Sequence, residues 1–150
     1  MAALRFVNVF TSGIAAGGLL TVLTPYALTL RDLDPREVGH VHALFHPRMH
    51  YSMMATTLVA AAAAVAIAAI GAGSTESTAL VLAGIPGAAV QALLSRFYVV
   101  PMSEEMMEWD KTGAPEHPRK FLARWTLLHT GRVLGAMASF ACYLVSLLVS

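Results

Sequence analysis

Apolar residues fall into four long runs along the chain, and polar punctuation separates them. The runs cover about residues 6–30, 47–71, 78–100 and 124–149. Each is long enough to span a bilayer, which takes about 20 predominantly apolar residues. The first carries no charge and exceeds the apolar core of a signal peptide, about 7–15 residues, so it reads as a retained helix. The second is almost pure alanine from Ala60 to Ala69. Hydrocarbon offers no water to backbone N–H and C=O groups, so isolated runs of this length must be helices rather than parts of a barrel. The expected fold is all-α: an integral membrane, antiparallel four-helix bundle forming a single domain, residues 1–150.

The connections differ. Gly71–Ser77 is a short polar turn that makes the second and third helices a tight antiparallel pair. Arg31–His46 and Pro101–Ala123 are longer and charged, and a short interfacial helix is expected in each. Asp34-Pro35-Arg36-Glu37 has the form of a helix start, with Asp34 as N-cap and Pro35 at the first helical position. Ser103 with Glu104, Glu105 and Glu108 begins the other, and Lys111-Thr-Gly-Ala-Pro115 ends it. Gly13 and Gly17 form a GxxxG in the first run; with the alanines of the second they predict close helix packing.

Composition supports the same class: 57% of residues are hydrophobic and 13% are charged, about half the charged share of a soluble domain. The single cysteine, Cys142, excludes an internal disulfide and a CxxC redox pair. The distribution of charge says more than the net value of +1. Of the 10 Lys and Arg residues, all but Arg5 lie in the first and third connections or in the helix ends beside them. Four spans put those connections on one side, and the positive-inside rule makes that side cytoplasmic. Both termini then face outward, in what reads as a bacterial inner membrane protein. Basic residues mixed with acids at a membrane surface do not form a nucleic-acid footprint.

All six histidines, and every acid except Glu76, are on the same side. Loop charge does not explain those that enter the spans. Trp125, His129 and Arg132 are at i, i+4 and i+7, on one face of the fourth helix. Arg132 lies about two turns inside an apolar helix, where a charge costs about 2.5–3.5 kcal/mol on insertion scales unless it snorkels or pairs. In the second helix His46 and His50 are four apart, with His42 four before; Pro47 is placed in the first turn, so His40 and His42 read as loop residues. Arg96 and Glu104 end the third span around Pro101. Imidazole can act as a base near neutral pH, and a neighbouring Arg can hold the anion that follows. His129, Arg132 and His50 are therefore the candidate catalytic residues, and His46, Arg96, Glu104 and Trp125 the candidate substrate contacts. A divalent metal would draw on His46, His50, Glu105 and His129, although neither HExxH nor a paired ExxH is present. Haem would use His50 and His129 from facing helices. The residues leave open a site with no cofactor, with a metal or with haem.

A Gly/Ala-rich first helix, a third helix ending Pro101-Met-Ser-Glu-Glu and a fourth opening Trp125-x3-His129-x2-Arg132 resemble the anthrone-oxygenase-like membrane family. Ser103 and Glu104 stand where that family often has an Asn. The helix-two entry and the early His of the last helix are also similar to a second four-helix family, that of a human drug-resistance-associated transmembrane protein. The first resemblance implies oxidation of an anthrone-type or other lipophilic phenol by dioxygen, without an evident organic cofactor. The alternative is a non-enzymatic membrane protein that binds a small molecule, metal or haem. Transport, even by a homo-oligomer, would need polar residues through the full bilayer depth, and the outer halves of the second and fourth runs read as apolar.

Overall fold

The computed structural model describes residues 2–71 and 73–150; Ala72, in the expected turn after the second helix, and Met1 lie outside them. Four helices are long and apolar enough to cross a membrane: α1 (Ala2–Asp32), α2 (Pro35–Ala69), α3 (Thr75–Met107) and α5 (Pro118–Leu148). A single turn, α4 (Trp109–Thr112), lies between α3 and α5. No strand occurs among the described residues. Around the bundle the order is α1, α2, α3, α5, so every neighbouring pair is antiparallel. Large apolar side chains such as Phe6, Leu58, Val65, Leu134 and Leu148 are exposed along the length of the bundle. On a water-soluble protein such coverage would be an aggregation surface; on an integral membrane protein it is the lipid-facing surface.

The helices begin and end where local chemistry dictates. Asp34 forms a capping box: its carboxylate accepts from the backbone N–H groups of Arg36 and Glu37 at 2.9 Å, and its own N–H donates to Glu37 Oε2 at 3.0 Å. The helix begun there does not stop at the membrane surface. It continues through Pro47 for 35 residues, so the expected interfacial segment after Asp34 is the first part of α2 itself. Pro47 sits in the helix interior rather than in its first turn. Likewise α3 runs past Pro101 to Met107 before the single turn of α4. Gly113, at φ +85°, then ends that turn in a backbone region that suits glycine.

Two π-helical turns interrupt the ladders, at Val22–Tyr26 and Ser95–Val99. Pro25 lies inside the first and Pro101 follows the second. Proline has no N–H to return to the carbonyl four residues back. The widened register lets the Ala27 N–H donate to the Val22 carbonyl and the Val100 N–H to the Ser95 carbonyl. Both turns lie toward the end of the bundle that carries the histidines.

Packing is tightest between α3 and α5. A Cβ built on Gly87 would stand 2.6 Å from the Gly135 carbonyl oxygen, and one on Gly135 would stand 2.7 Å from that of Gly87. Here two backbones touch, as small residues allow in lipid. Polar side chains add interhelical hydrogen bonds: Asn8 Nδ2 to the Ala60 carbonyl (2.8 Å), Ser139 Oγ to the Gly84 carbonyl (2.7 Å) and Ser77 Oγ to the Ser146 carbonyl (2.8 Å). Arg5 is buried and donates to the Ser146 carbonyl at 3.3 Å, a cation at the C-terminal end of α5. The outer half of the fourth run is therefore not wholly apolar, because Ser139, Tyr143 and Ser146 are buried in it. The two serines serve as local cross-ties.

Gly87→Val and Gly135→Val are each expected to destabilise the bundle by at least about 1–3 kcal/mol, the usual range for overpacking, seen as a lower unfolding midpoint in detergent. Gly17→Ala, where an added Cβ meets nothing within 4 Å, should leave that midpoint unchanged.

Candidate active site

A cavity of about 490 Å³ lies toward the histidine-bearing end of the bundle. That is within the size range of small-molecule sites, about 300–1,000 Å³. All four long helices contribute to its wall: Leu19, Val22 and Tyr26 from α1; His42 through Leu58 from α2; Gln91 through Glu104 from α3; Trp125, His129 and Arg132 from α5. Both π turns face it, through Val22 and Tyr26 in one and Ser95, Arg96 and Val99 in the other.

The continuity of α2 through Pro47 creates one of its walls. Residues four apart share a helix face, so His42, His46 and His50 form a column. Their rings stack at centroid distances of 5.2 and 5.4 Å, with planes 17° and 26° apart. His42 is fully buried, not the loop residue expected from a helix beginning at Pro47. Its Nδ1 is 2.7 Å from Tyr26 Oη, and its Nε2 is buried without a hydrogen-bond partner among the described residues. The ring meets Trp125 edge-on at 5.7 Å, and Trp125 stacks on His129 at 5.3 Å. Trp125 Nε1 donates to Ser103 Oγ at 3.0 Å, which ties the end of α3 to α5.

His129 and Arg132 form a directed pair. The Leu19 carbonyl, 3.1 Å from His129 Nε2, can only accept, so Nε2 carries the proton. Arg132 Nη1, 3.2 Å from His129 Nδ1, can only donate, so Nδ1 accepts. Both ring nitrogens are thus used in orienting Arg132, which lines the cavity with its Nε buried and unpartnered among the described residues. His46 and His50 line the same cavity, and their ring nitrogens make no hydrogen bond among the described residues. Arg96 and Glu104 line it from exposed positions on α3.

The structure thus brings His46, His50, Arg96, Glu104, Trp125, His129 and Arg132 to one cavity. It adds six polar residues not named as site candidates from the sequence: Tyr26, His42, Thr57, Gln91, Ser95 and Ser103. The four residues named for a metal do not gather as a ligand set. Glu105 is exposed and not part of the cavity wall, and among the described residues no group of three or more His, Cys, Asp and Glu could hold an ion. His129 has no lone pair left over for a metal or haem iron in this arrangement.

The family model described as anthrone oxygenase matches residues 42–142. The chain belongs to the anthrone oxygenase family. The matched stretch opens at His42 and contains every cavity residue of α2, α3 and α5; only the α1 wall, with Tyr26, lies before it. No curated protein and no solved structure matches the chain. Within this anthrone oxygenase-family protein, Ser103, at the position where the resemblance expects an amide, holds the Trp125 indole.

Ser103→Ala should strand the buried Trp125 N–H and lower stability by about 1–3 kcal/mol, the usual penalty for an unpaired buried donor. Adding Trp125→Phe, which removes the stranded group, should recover part of that loss; chemical denaturation in detergent measures both steps.

Proposed function

We propose that this protein is a membrane oxygenase that converts the acidic methylene of an anthrone-type or other lipophilic phenol into a carbonyl, with Arg132 as the anion-holding residue. The observation that carries the reading is the Arg132 guanidinium. It is aimed by His129 and faces a histidine-lined cavity, in a chain of the anthrone oxygenase family. In the proposed sequence His50, or its stacking neighbour His46, removes a proton from the methylene. Arg132 pairs with the oxygen on which the charge settles. Both nitrogens of His129 are engaged, so its part is to position Arg132 rather than to take the proton.

The resulting anion passes an electron to dioxygen, the substrate radical and superoxide join as a peroxide anion, and the protonated histidine returns its proton to give the hydroperoxide. Loss of water leaves the carbonyl, so one CH2 and one O2 become one C=O and one H2O. A stack of aromatic and imidazole rings, with the adaptable side chains of Met49, Met53 and Met54, suits a flat aromatic body. Arg96, Glu104 and Trp125 are the proposed contacts to its rim. The protein lies in a bacterial inner membrane with both termini outside, since the basic residues gather at the opposite end.

In detergent or vesicles under air, an added anthrone should be converted to its quinone, followed by absorbance. Arg132→Met should lower kcat by about 10²–10³, the loss typical of one preorganised anion-stabilising donor. His46→Gln combined with His50→Gln should cost about 10²–10⁴, the range for a general base. Unchanged rates in both variants would end this mechanism. Tight anthrone binding with no quinone would make the protein a binder instead.

A cysteine placed at Ser150 in a Cys142→Ser background is expected to react with a membrane-impermeant maleimide added to intact cells. Labelling only after lysis would reverse the topology.

A further inference from the structure

The seams between neighbouring helices are unequal, and the seam between α2 and α3 is loose. The α2 helix meets α3 closely along Val100–Met107 but only sparsely along Thr75–Leu94 and the π turn Ser95–Val99, which leaves a gap beside that turn. At the inner edge of this gap Gln91 Nε2 donates to Thr57 Oγ1 at 3.0 Å, a cross-tie between α2 and α3 at the deep end of the cavity. The residues on either side of the gap belong to two surfaces at once. Met54 and Leu58 on α2, and Ala92 and Arg96 on α3, line the cavity and are also exposed, Leu58 to 61%. Three of the four are apolar, and the neighbouring outward residues Val59, Val90, Leu93 and Phe97 are exposed apolar side chains as well. The gap therefore lies in the lipid-facing wall, with Arg96 toward its polar edge.

We propose that this gap is a lateral portal through which the cavity exchanges its occupant with the bilayer, and that the occupant is a membrane-dissolved weak acid rather than a water-borne one. The inference deepens the proposed function, because it takes the same cavity as the substrate site. Its chemistry follows from the order of groups met on entry. An incoming molecule passes apolar Met54, Leu58 and Ala92 before reaching Arg132, whose Nε has no partner among the described residues. A hydrated ion would have to shed its water among those side chains, a costly step. A neutral phenol crosses them freely and can ionise against the guanidinium inside. The π turn provides the opening without a break in the helix, in keeping with the frequent placement of such bulges at functional sites.

The test reads access and not turnover, so it separates failure of the portal from failure of the oxygenase reading. In a Trp109→Phe variant Trp125, part of the cavity wall, is the only tryptophan. The protein is placed in phosphatidylcholine vesicles and its fluorescence is quenched either by bromododecane dissolved in the bilayer or by iodide in the water. The portal requires strong quenching by the bromoalkane, several-fold weaker quenching by iodide, and at least a halving of the bromoalkane effect when Ala92→Phe narrows the gap. Strong iodide quenching without bromoalkane quenching would show that the cavity opens to water and would overturn the proposal. So would quenching by neither, or a bromoalkane effect indifferent to Ala92→Phe. If Trp109→Phe does not fold, the difference between the wild-type protein and Trp125→Phe isolates the same signal.

Discussion

A helix in hydrocarbon must satisfy its backbone polar groups within the protein, and proline deletes one of the donors. Every long helix of this bundle except α5 carries proline in its interior: Pro25, Pro47, Pro86 and Pro101. The shape of the site depends on how these positions are accommodated. At Pro25 and Pro101 the ladder widens into π turns, and both turns face the cavity. At Pro47 the helix holds, supported from its start by the Asp34 capping box. Continuity there places three histidines in one stacked column. The cavity is thus an outcome of backbone chemistry as much as of side-chain choice.

The polar end and the apolar end of the bundle are held by different means. Toward the outer end, backbones meet at Gly87 and Gly135, and serine and asparagine side chains tie helix to helix through carbonyl oxygens. Toward the cavity, aromatic rings replace small residues. Trp125 is the junction there: it stacks on His129, meets His42 edge-on and holds Ser103. A close-packed half and an open half in one bundle give a rigid frame around a site with room for a ligand. Functional groups are best carried on rigid elements, and the proposed site residues His129 and Arg132 stand on α5.

The four spans and the gathering of charge at one end were legible because apolar run length and loop charge are read directly from the residues; that α3 packs most tightly on α5 rather than on α2 was not. His129 and Arg132 were legible because a charge inside an apolar helix needs a reason and helical spacing supplies the face. His42 was not. A helix taken to begin at Pro47 leaves His42 in a loop, whereas the capping box thirteen positions upstream makes it the head of the stack. The i, i+4, i+8 spacing of His42, His46 and His50 held that signal, provided Pro47 was allowed inside a helix. Tyr26 and Gln91 carried no sequence signal, since single polar groups in apolar runs are as often local cross-ties as site residues. The proposed division of labour between His129 and the α2 histidines depends on which atoms meet, and no spacing rule contains it.

Arg132 ties these observations together through its energetics. Placing its charge two turns inside an apolar helix costs about 2.5–3.5 kcal/mol on insertion scales. One hydrogen bond involving a charged group returns about 1.5–3 kcal/mol, and among the described residues the bond to His129 is the one it makes. The two terms nearly cancel, which is enough to keep the residue in place but leaves Nε unpartnered among the described residues. Snorkelling would have turned the free N–H groups of the guanidinium to lipid headgroups or water. Instead His129, fixed by the Leu19 carbonyl of α1, holds the guanidinium inward against the cavity. A site arranged in this way is under-satisfied when empty and gains most from a ligand that brings an acceptor or a negative charge. That property is what the proposed anion-holding role of Arg132 requires.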